Sequence, residues 1–411
     1  MLAYQEINKC RISGSTNLIT VLSLGEQYLT GVFPKSKDEV ITKGPIDLVW
    51  CPESGLLQLK QSYSVEEMYG DNYGYRSGLN ASMVRHLQHK AHTLMRMYPM
   101  AAGDVVLDIG SNDATLLHAY PSHLKRIGMD PTGKKFSQFY TDGIELIPDF
   151  FSARQFAQTF PNLRPKLITS IAMFYDVEKP LEFVAEIEQI LDDEGIWHFE
   201  QSYMPSMLRT NSYDTICHEH LEFYSFEVVK NILEKCDMKV IDVQMNSING
   251  GSFAVTAAKK HAKFKPNYPV INWLLQEEYE MGLKTPKPFR DFEERVFRHR
   301  NSLMNLINSL VVDGKKILGY GASTKGNVLL QFCNITDKHI PAIADINPDK
   351  YGCFTPGTNI PIISESEAKA MQPDYFLVLP WHFKHSILQR EQEYIANGGK
   401  FIFPLPEIEI V

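Results

Sequence analysis

The stretch Asp104 to Leu117, DVVLDIGSNDATLL, constrains this chain more than any other segment: an apolar run closes on Asp108, breaks at Gly110 and gives way to a helical pattern. It predicts a strand, a tight turn and a helix. Gly110 lets the backbone approach a bound ligand closely, and the small polar Ser111 and Asn112 leave room for an adenosine group above the strand end. The segment lacks the G-x-G-x-x-G that cradles a pyrophosphate on a helix N-terminus, so it suits a nucleoside ligand without phosphate. S-adenosylmethionine is such a ligand. Asp130 ends the next apolar stretch, RIGMD, twenty residues beyond Gly110, where a carboxylate would bind ribose hydroxyls.

At 411 residues the chain exceeds what one core usually organises, and two or three domains are expected. Its formal charge is -8 and no run of Lys or Arg is long enough to track a phosphate backbone, which argues against nucleic acid as a partner. An anionic substrate would need a local basic pocket. The six cysteines are too sparse for a disulfide framework, and the opening MLAYQEINKC lacks the basic-then-apolar pattern of a signal segment. No apolar stretch nears the roughly eighteen residues of a membrane span. A soluble protein of the reducing cytoplasm is expected, without a membrane partner and monomeric by default.

Residues 1–70 carry two similar pieces, Cys10-Arg-Ile-Ser13-Gly14 and Cys51-Pro-Glu-Ser54-Gly55, each a C-x-x-S-G turn beside an apolar segment. They read as two knuckles of a small ribbon-like domain. Tetrahedral zinc takes four thiolate or imidazole ligands, and the second cysteine of each knuckle is here a serine, whose hydroxyl is a poor zinc ligand at neutral pH. Cys10 and Cys51 are therefore only weak zinc candidates. From 71 to 260, apolar strands at 104–109, 126–129, 166–173 and 195–200 alternate with longer amphipathic stretches, the pattern of a parallel sheet. MKVIDVQM and GSFAVTAA, joined through Asn249-Gly250-Gly251, predict an antiparallel hairpin that closes it. Residues 261–312 read as a Pro-punctuated linker and a connecting helix. KKILGYGASTKGNVLLQFC then restarts the strand, glycine turn, helix pattern, with PAIADI, DYFLVLP and GKFIFPL as further strands. Residues 313–411 are thus expected to form a second, smaller Rossmann-like α/β domain.

The segment NSYDTICHEHLEFYS, residues 211–225, concentrates Tyr213, His218, Glu219, His220 and Tyr224 just after the predicted strand IWHFEQ. Parallel sheets bind ligands at the C-terminal ends of their strands, so these groups lie near the nucleoside crevice if the segment folds over it. The spacing H-E-H is not that of the helical zinc pair H-E-x-x-H; in an extended piece His218 and His220 would share one face, with Glu219 on the other. A histidine paired with a carboxylate is a general-base candidate, because its reference pKa of about 6.5 lies close to working pH. An ordinary hydrogen-bonded loop is the alternative. The loop Gly319-Tyr320-Gly321-Ala322-Ser323-Thr324-Lys325-Gly326 offers amides, hydroxyls and one ammonium at a helix N-terminus. It suits a diphosphate, with Tyr320, Ser323, Lys325 and Asn327 as candidate substrate contacts. An NAD(P) site with Asp345 as ribose acceptor is a rival, and a Rossmann-like turn that keeps its shape without a ligand is a third reading.

Together with the knuckles, the segments LGEQYLTGVFP, NYGYRSGLNASMVRHL, DIGSNDATLL, IWHFEQSYMP, YDTICHEHLEFYS, GYGASTKGNVLLQ and LPWHF follow one another along nearly the whole chain. In this order they resemble the S-adenosylmethionine-dependent sugar C-methyltransferases that act on nucleotide-linked 4-keto-deoxyhexoses. The resemblance implies an α/β fold: a class I methyltransferase Rossmann-like sheet between a small N-terminal ribbon-like domain and a C-terminal Rossmann-like domain. It further implies methyl transfer to the sugar C3, alpha to a C4 ketone, on a dTDP- or GDP-linked 4-keto-6-deoxyhexose. His220 falls at the family's base, Glu219 beside it to orient and stabilise the ring, and Tyr75 at an active-site tyrosine. Asp108, Gly110, Ser111, Asn112, Asp130, Phe150 and Phe151 would surround the cofactor.

Three departures from the family matter. Where many members read Y-H-E-H this chain reads Cys217-His218-Glu219-His220, so Tyr213 or Tyr224 would have to supply the missing hydroxyl. Ala114 replaces the final glycine of GSNDG, which is tolerable if the backbone there is helical. The knuckles lack two cysteines of the family's structural zinc site, which leaves the N-terminal domain to rely on packing. An NAD(P)-dependent nucleotide-sugar reductase and an inactive sugar-binding homologue are the alternative functions.

Overall fold

Two parallel sheets organise the chain, each raised on one of the strand, glycine turn, helix units legible in the sequence. The computed structural model describes residues 4–68 and 75–411; the expected domain boundary near residue 70 and the residues Asn72-Tyr73-Gly74 of the NYGYRSG segment lie outside them. In the first sheet Val105–Ile109 is flanked on one side by Lys125–Met129 and Glu145–Ile147 and on the other by Pro165–Ile171 and Ile196–Ser202, all parallel. The hairpin Met238–Asn246 with Ser252–Lys259 completes it, its second strand running antiparallel beside Ile196–Ser202. The direction of strand addition reverses between Val105–Ile109 and Pro165–Ile171, and open α/β sheets bind ligands at that reversal. Glu145–Ile147 was not expected; three residues are too few to show a period.

The turn into the first helix departs from expectation. Ala114 is not helical but left-handed, with φ 61° and ψ 14°, and it precedes the short helix Thr115–His118. An L-residue there carries a strain of roughly 1–2 kcal/mol.

At the N-terminus, Ile19–Tyr28, Lys43–Trp50 and Leu57–Leu59 form an antiparallel sheet, and its fourth strand is the distant Glu222–Phe223. The two knuckles make the same turn: Gly14 N donates to Cys10 O at 2.9 Å and Gly55 N to Cys51 O at 2.8 Å, with both glycines at positive φ. Burial pushes the Cys10 thiol up, but hydrogen bonds from Ser13 and Ser54 outweigh it and draw it down to about 7.

The second parallel sheet runs Ile362–Ser364, Ile343–Asp345, Ile317–Tyr320, Tyr375–Val378, Lys400–Phe403, with Glu409–Ile410 antiparallel at its edge. Between the two sheets in sequence lie helices Tyr268–Glu280 and Lys287–Val312. The longer is a packed strut. Its Phe289, Phe292, Val296, Leu303 and Ile307 are buried in one apolar core with Trp50 and Leu57 of the N-terminal sheet and with the C-terminal strands. Each such side chain contributes roughly 1.5–3 kcal/mol by leaving water.

Candidate active site

The C-terminal ends of strands from both parallel sheets open onto a cavity of about 930 Å³. One end of its wall is built from Asp108, Gly110, Ser111, Asn112, Asp130, Phe150 and Phe151. Gly110 has φ 74°, and a Cβ there would stand 3.0 Å from Met173 Cγ, so glycine keeps the crevice clear. Asp130 accepts from Asn112 N at 2.8 Å and from Thr132 N and Oγ1 at 2.6 and 2.5 Å. These bonds fill Oδ1 and leave Oδ2 one free lone pair, enough for a ribose hydroxyl. Burial pushes the Asp108 carboxyl up to about 7 against a 2.5 Å bond from Thr169 Oγ1, and the nearby Asp130 charge adds to the push. Ser111 Oγ lies 2.7 Å from Tyr140 Oη, which donates to Asn112 O at 2.9 Å and so holds the loop. Among the described residues the basic side chains of the cavity wall are Lys325, His220 and His382, none of them from this crevice. A nucleoside sulfonium without phosphate fits such a donor set.

Within 211–225 the stretch around His218 and Glu219 is a turn rather than an extended piece, and this rearranges its side chains. Cys217, Glu219 and His220 line the cavity. His218 does not share the His220 face: it is fully buried against Tyr63 of the N-terminal region, ring centroids 4.6 Å apart, and burial pulls it down to about 3. His220 is oriented by a backbone carbonyl rather than by Glu219. Its Nδ1 lies 2.8 Å from Thr215 O, so the neutral ring carries its proton on Nδ1 and its lone pair on Nε2. Burial, aided by the Lys325 charge, pulls His220 down to about 3, and burial pushes Glu219 up and Cys217 well above the usual thiol range.

The two tyrosines expected to replace the one missing at Cys217 are both in the core. Tyr213 Oη lies 3.1 Å from His299 Nδ1, and the Tyr224 ring stacks on Phe174 at 5.2 Å. Tyr175 is in the wall instead, its ring 4.3 Å from that of His220. Sequence reasoning passed over it, although it lies only four residues beyond the strand Pro165–Ile171, at the ligand-binding end. Tyr75 borders the cavity at 47 % exposure, and its carbonyl accepts from Asn112 Nδ2 at 3.3 Å. Glu200, also unforeseen, reaches the wall from Ile196–Ser202; burial pushes it up, but His86 at 2.6 Å and Lys90 at 2.7 Å draw it down to about 2.

From the second sheet come Ser323, Thr324, Lys325 and His382. Ser323 caps the helix Thr324–Phe332 by accepting from Gly326 N at 3.0 Å, and Lys325 Nζ donates to Asn249 O at 3.0 Å in the hairpin turn of the first sheet. Tyr320 and Asn327, expected here, are buried elsewhere: Tyr320 Oη donates to Glu391 at 2.8 Å, and Asn327 Nδ2 to Thr30 O at 2.7 Å. Asp345 accepts from Ala322 N and Asn347 N, both at 2.7 Å, and is not in the wall. The same clamp recurs in Asp130 with Asn112 and Thr132. What separates the two acids is place: Asp130 lines the cavity and Asp345 does not, which argues against a ribose at the second.

Fold and crevice together define a class I methyltransferase dependent on S-adenosylmethionine. A family model described as a C-methyltransferase C-terminal domain matches residues 247–406, one described as a methyltransferase domain matches 83–243, and one described as a zinc binding domain matches 10–69. C-methyltransferase NovU of Streptomyces niveus is 30% identical over 410 residues, 98% of this chain and 97% of the relative. The chain belongs to this family of C-methyltransferases. Among solved structures, the YcgJ protein from Bacillus subtilis is 13% identical with a TM-score of 0.34, covering 42% of this chain and 99% of that one. The plantazolicin methyltransferase BpumL in complex with SAH is 12% identical with a TM-score of 0.36, covering 44% and 87%.

Proposed function

We propose that the protein methylates C3 of a nucleotide-diphosphate 4-keto-6-deoxyhexose, with the diphosphate held by Ser323, Thr324 and Lys325. The observation that carries this reading is His220: its Nδ1 is committed to Thr215 O at 2.8 Å, which leaves Nε2 unprotonated on a ring that lines the cavity. Bound S-adenosylmethionine supplies an electrophilic methyl group in the crevice of Gly110 and Asp130. The C4 ketone acidifies the C3 hydrogen, and Nε2 of His220 takes that proton as general base. The electron pair left behind spreads onto the ketone oxygen. Cys217, kept protonated by burial and hydrogen-bonded to Glu219, and Tyr175 line the wall beside His220, where that oxygen would lie.

The Lys325 ammonium weakens His220 as a base while the site is empty. A diphosphate beside Lys325 offsets that charge, so substrate binding itself strengthens the base.

The test is exchange at C3. Incubation with a 4-keto nucleotide sugar in deuterated water, without methyl donor, is expected to wash deuterium into C3, and His220→Ala to slow this by about 10² to 10⁴. Undiminished exchange in the variant removes His220 from the mechanism. With S-adenosylmethionine and a panel of nucleotide sugars, a mass gain of one methylene identifies the substrate.

A further inference from the structure

Cys10, Ser13, Cys51 and Ser54 occupy the four positions at which two knuckles present ligands to a tetrahedral metal, yet they bond to one another. Cys10 Sγ lies 3.2 Å from Ser54 Oγ, and Ser13 Oγ lies 3.5 Å from Cys51 Sγ, so each thiol meets the hydroxyl of the opposite knuckle, and Ser13 bonds to Cys10 of its own as well. We propose that this N-terminal domain is metal-free by construction: a reciprocal hydrogen-bond clasp between the knuckles stands where relatives matched by the zinc binding domain model would hold a metal ion.

The donor set carries the proposal. Structural zinc draws its folding energy from thiolate and imidazole ligands, and exchanging two of four for neutral hydroxyls removes half of them. Among the described residues no neighbour makes up the loss. The adjacent carboxylate, Glu53, is engaged by Asn17 Nδ2 at 3.0 Å and by Cys51 Sγ at 3.4 Å. Among the described residues no group of three or more His, Cys, Asp or Glu side chains is placed to hold a metal ion.

The work of a metal, tying the knuckles to each other and to the rest of the chain, is divided among other contacts. Arg11, between Cys10 and Ser13, has a side chain only 2% exposed. It donates to Leu59 O at 2.7 Å and Ser62 Oγ at 2.9 Å, and pairs with Glu178 at 3.3 Å and Glu222 at 3.5 Å. The first knuckle is thereby fastened to the strand that follows the second and to the segment that carries His220. Cys10, Ile12, Cys51 and Leu56 are also buried in one apolar core with strands of the seven-stranded sheet.

Three measurements on the full-length protein decide the matter. Elemental analysis of the purified wild type is expected to find zinc far below one per chain, and its Tm to be the same with and without EDTA. One tightly held zinc per chain, with a Tm that EDTA lowers, overturns the proposal. The double variant Ser13→Cys, Ser54→Cys is expected to take up one zinc per chain and to gain a Tm that depends on it; a folded double variant without zinc uptake shows that the four positions do not converge. Ser54→Ala is expected to lower Tm without changing metal content, and an unchanged Tm means that packing alone holds the knuckles. Should the double variant fail to fold, the wild-type and Ser54→Ala measurements still decide.

Discussion

His220 and Lys325 are separated by more than a hundred residues, yet the charge of one adds to the burial that lowers the basicity of the other. Removing the ammonium in Lys325→Met lifts the smaller of the two effects that hold the imidazole at about 3, so it rises, while burial still keeps it below its ordinary value. Because the proposed base acts deprotonated, the acid limb of the pH profile for C3 exchange should move to higher pH, alongside a raised KM if Lys325 holds the diphosphate as proposed. An acid limb that stays in place would separate Lys325 from the base. Of this arrangement, H-E-H in the sequence pointed to His220 and Glu219 but to the wrong neighbours. Tyr213, Tyr224 and Tyr320 read as site residues from the sequence, whereas Tyr175 drew no notice. A tyrosine that fills a core and a tyrosine that faces a ligand sit among the same apolar neighbours in one dimension.

Elements were most legible where they were periodic. The strands at 104–109 and 195–200 and the closing hairpin stand within a residue or two of where the apolar runs placed them. Short edge pieces such as Glu145–Ile147 and Ile362–Ser364 carry no such signal. The helix entry at Ala114 shows the limit of reasoning from a motif. The replacement of glycine looked harmless on the assumption of helical backbone, but the left-handed φ of 61° makes it a strained site. Ala114→Gly should therefore leave stability unchanged or raise it, measured by urea unfolding, whereas the same exchange at an ordinary helix position costs about 1 kcal/mol. A loss of that size would place Ala114 in a right-handed turn.

At the scale of the whole molecule, the site exists because three sheets meet. Glu222–Phe223 pairs with Leu57–Leu59, Leu221 O accepts from Leu59 N at 2.8 Å, and this pins the preceding turn so that Glu219 and His220 line the cavity while His218 is buried under Tyr63. His218 is held neutral, down to about 3, while the unfolded chain binds its proton below about pH 6.5. The native state thus loses about 1.4 kcal/mol per pH unit at this residue as pH falls from 6.5 toward 3. In His218→Gln that dependence is gone, so the stability gap between wild type and variant should narrow by about 1.4 kcal/mol between about pH 7.5 and about pH 5.5. An unchanged gap would mean that the native protein accepts the proton. No helix of the described residues is long and apolar enough to cross a membrane. The sequence by itself determined the two strand, glycine turn, helix units, the phosphate-free crevice and the paired knuckles, because turn chemistry and apolar period are local properties written in consecutive residues. Only the tertiary structure decided which side chains of 211–225 reach the cavity and which tyrosine joins them. A loop has no period of its own, and its facing is set by a strand pairing with residues far away in the chain.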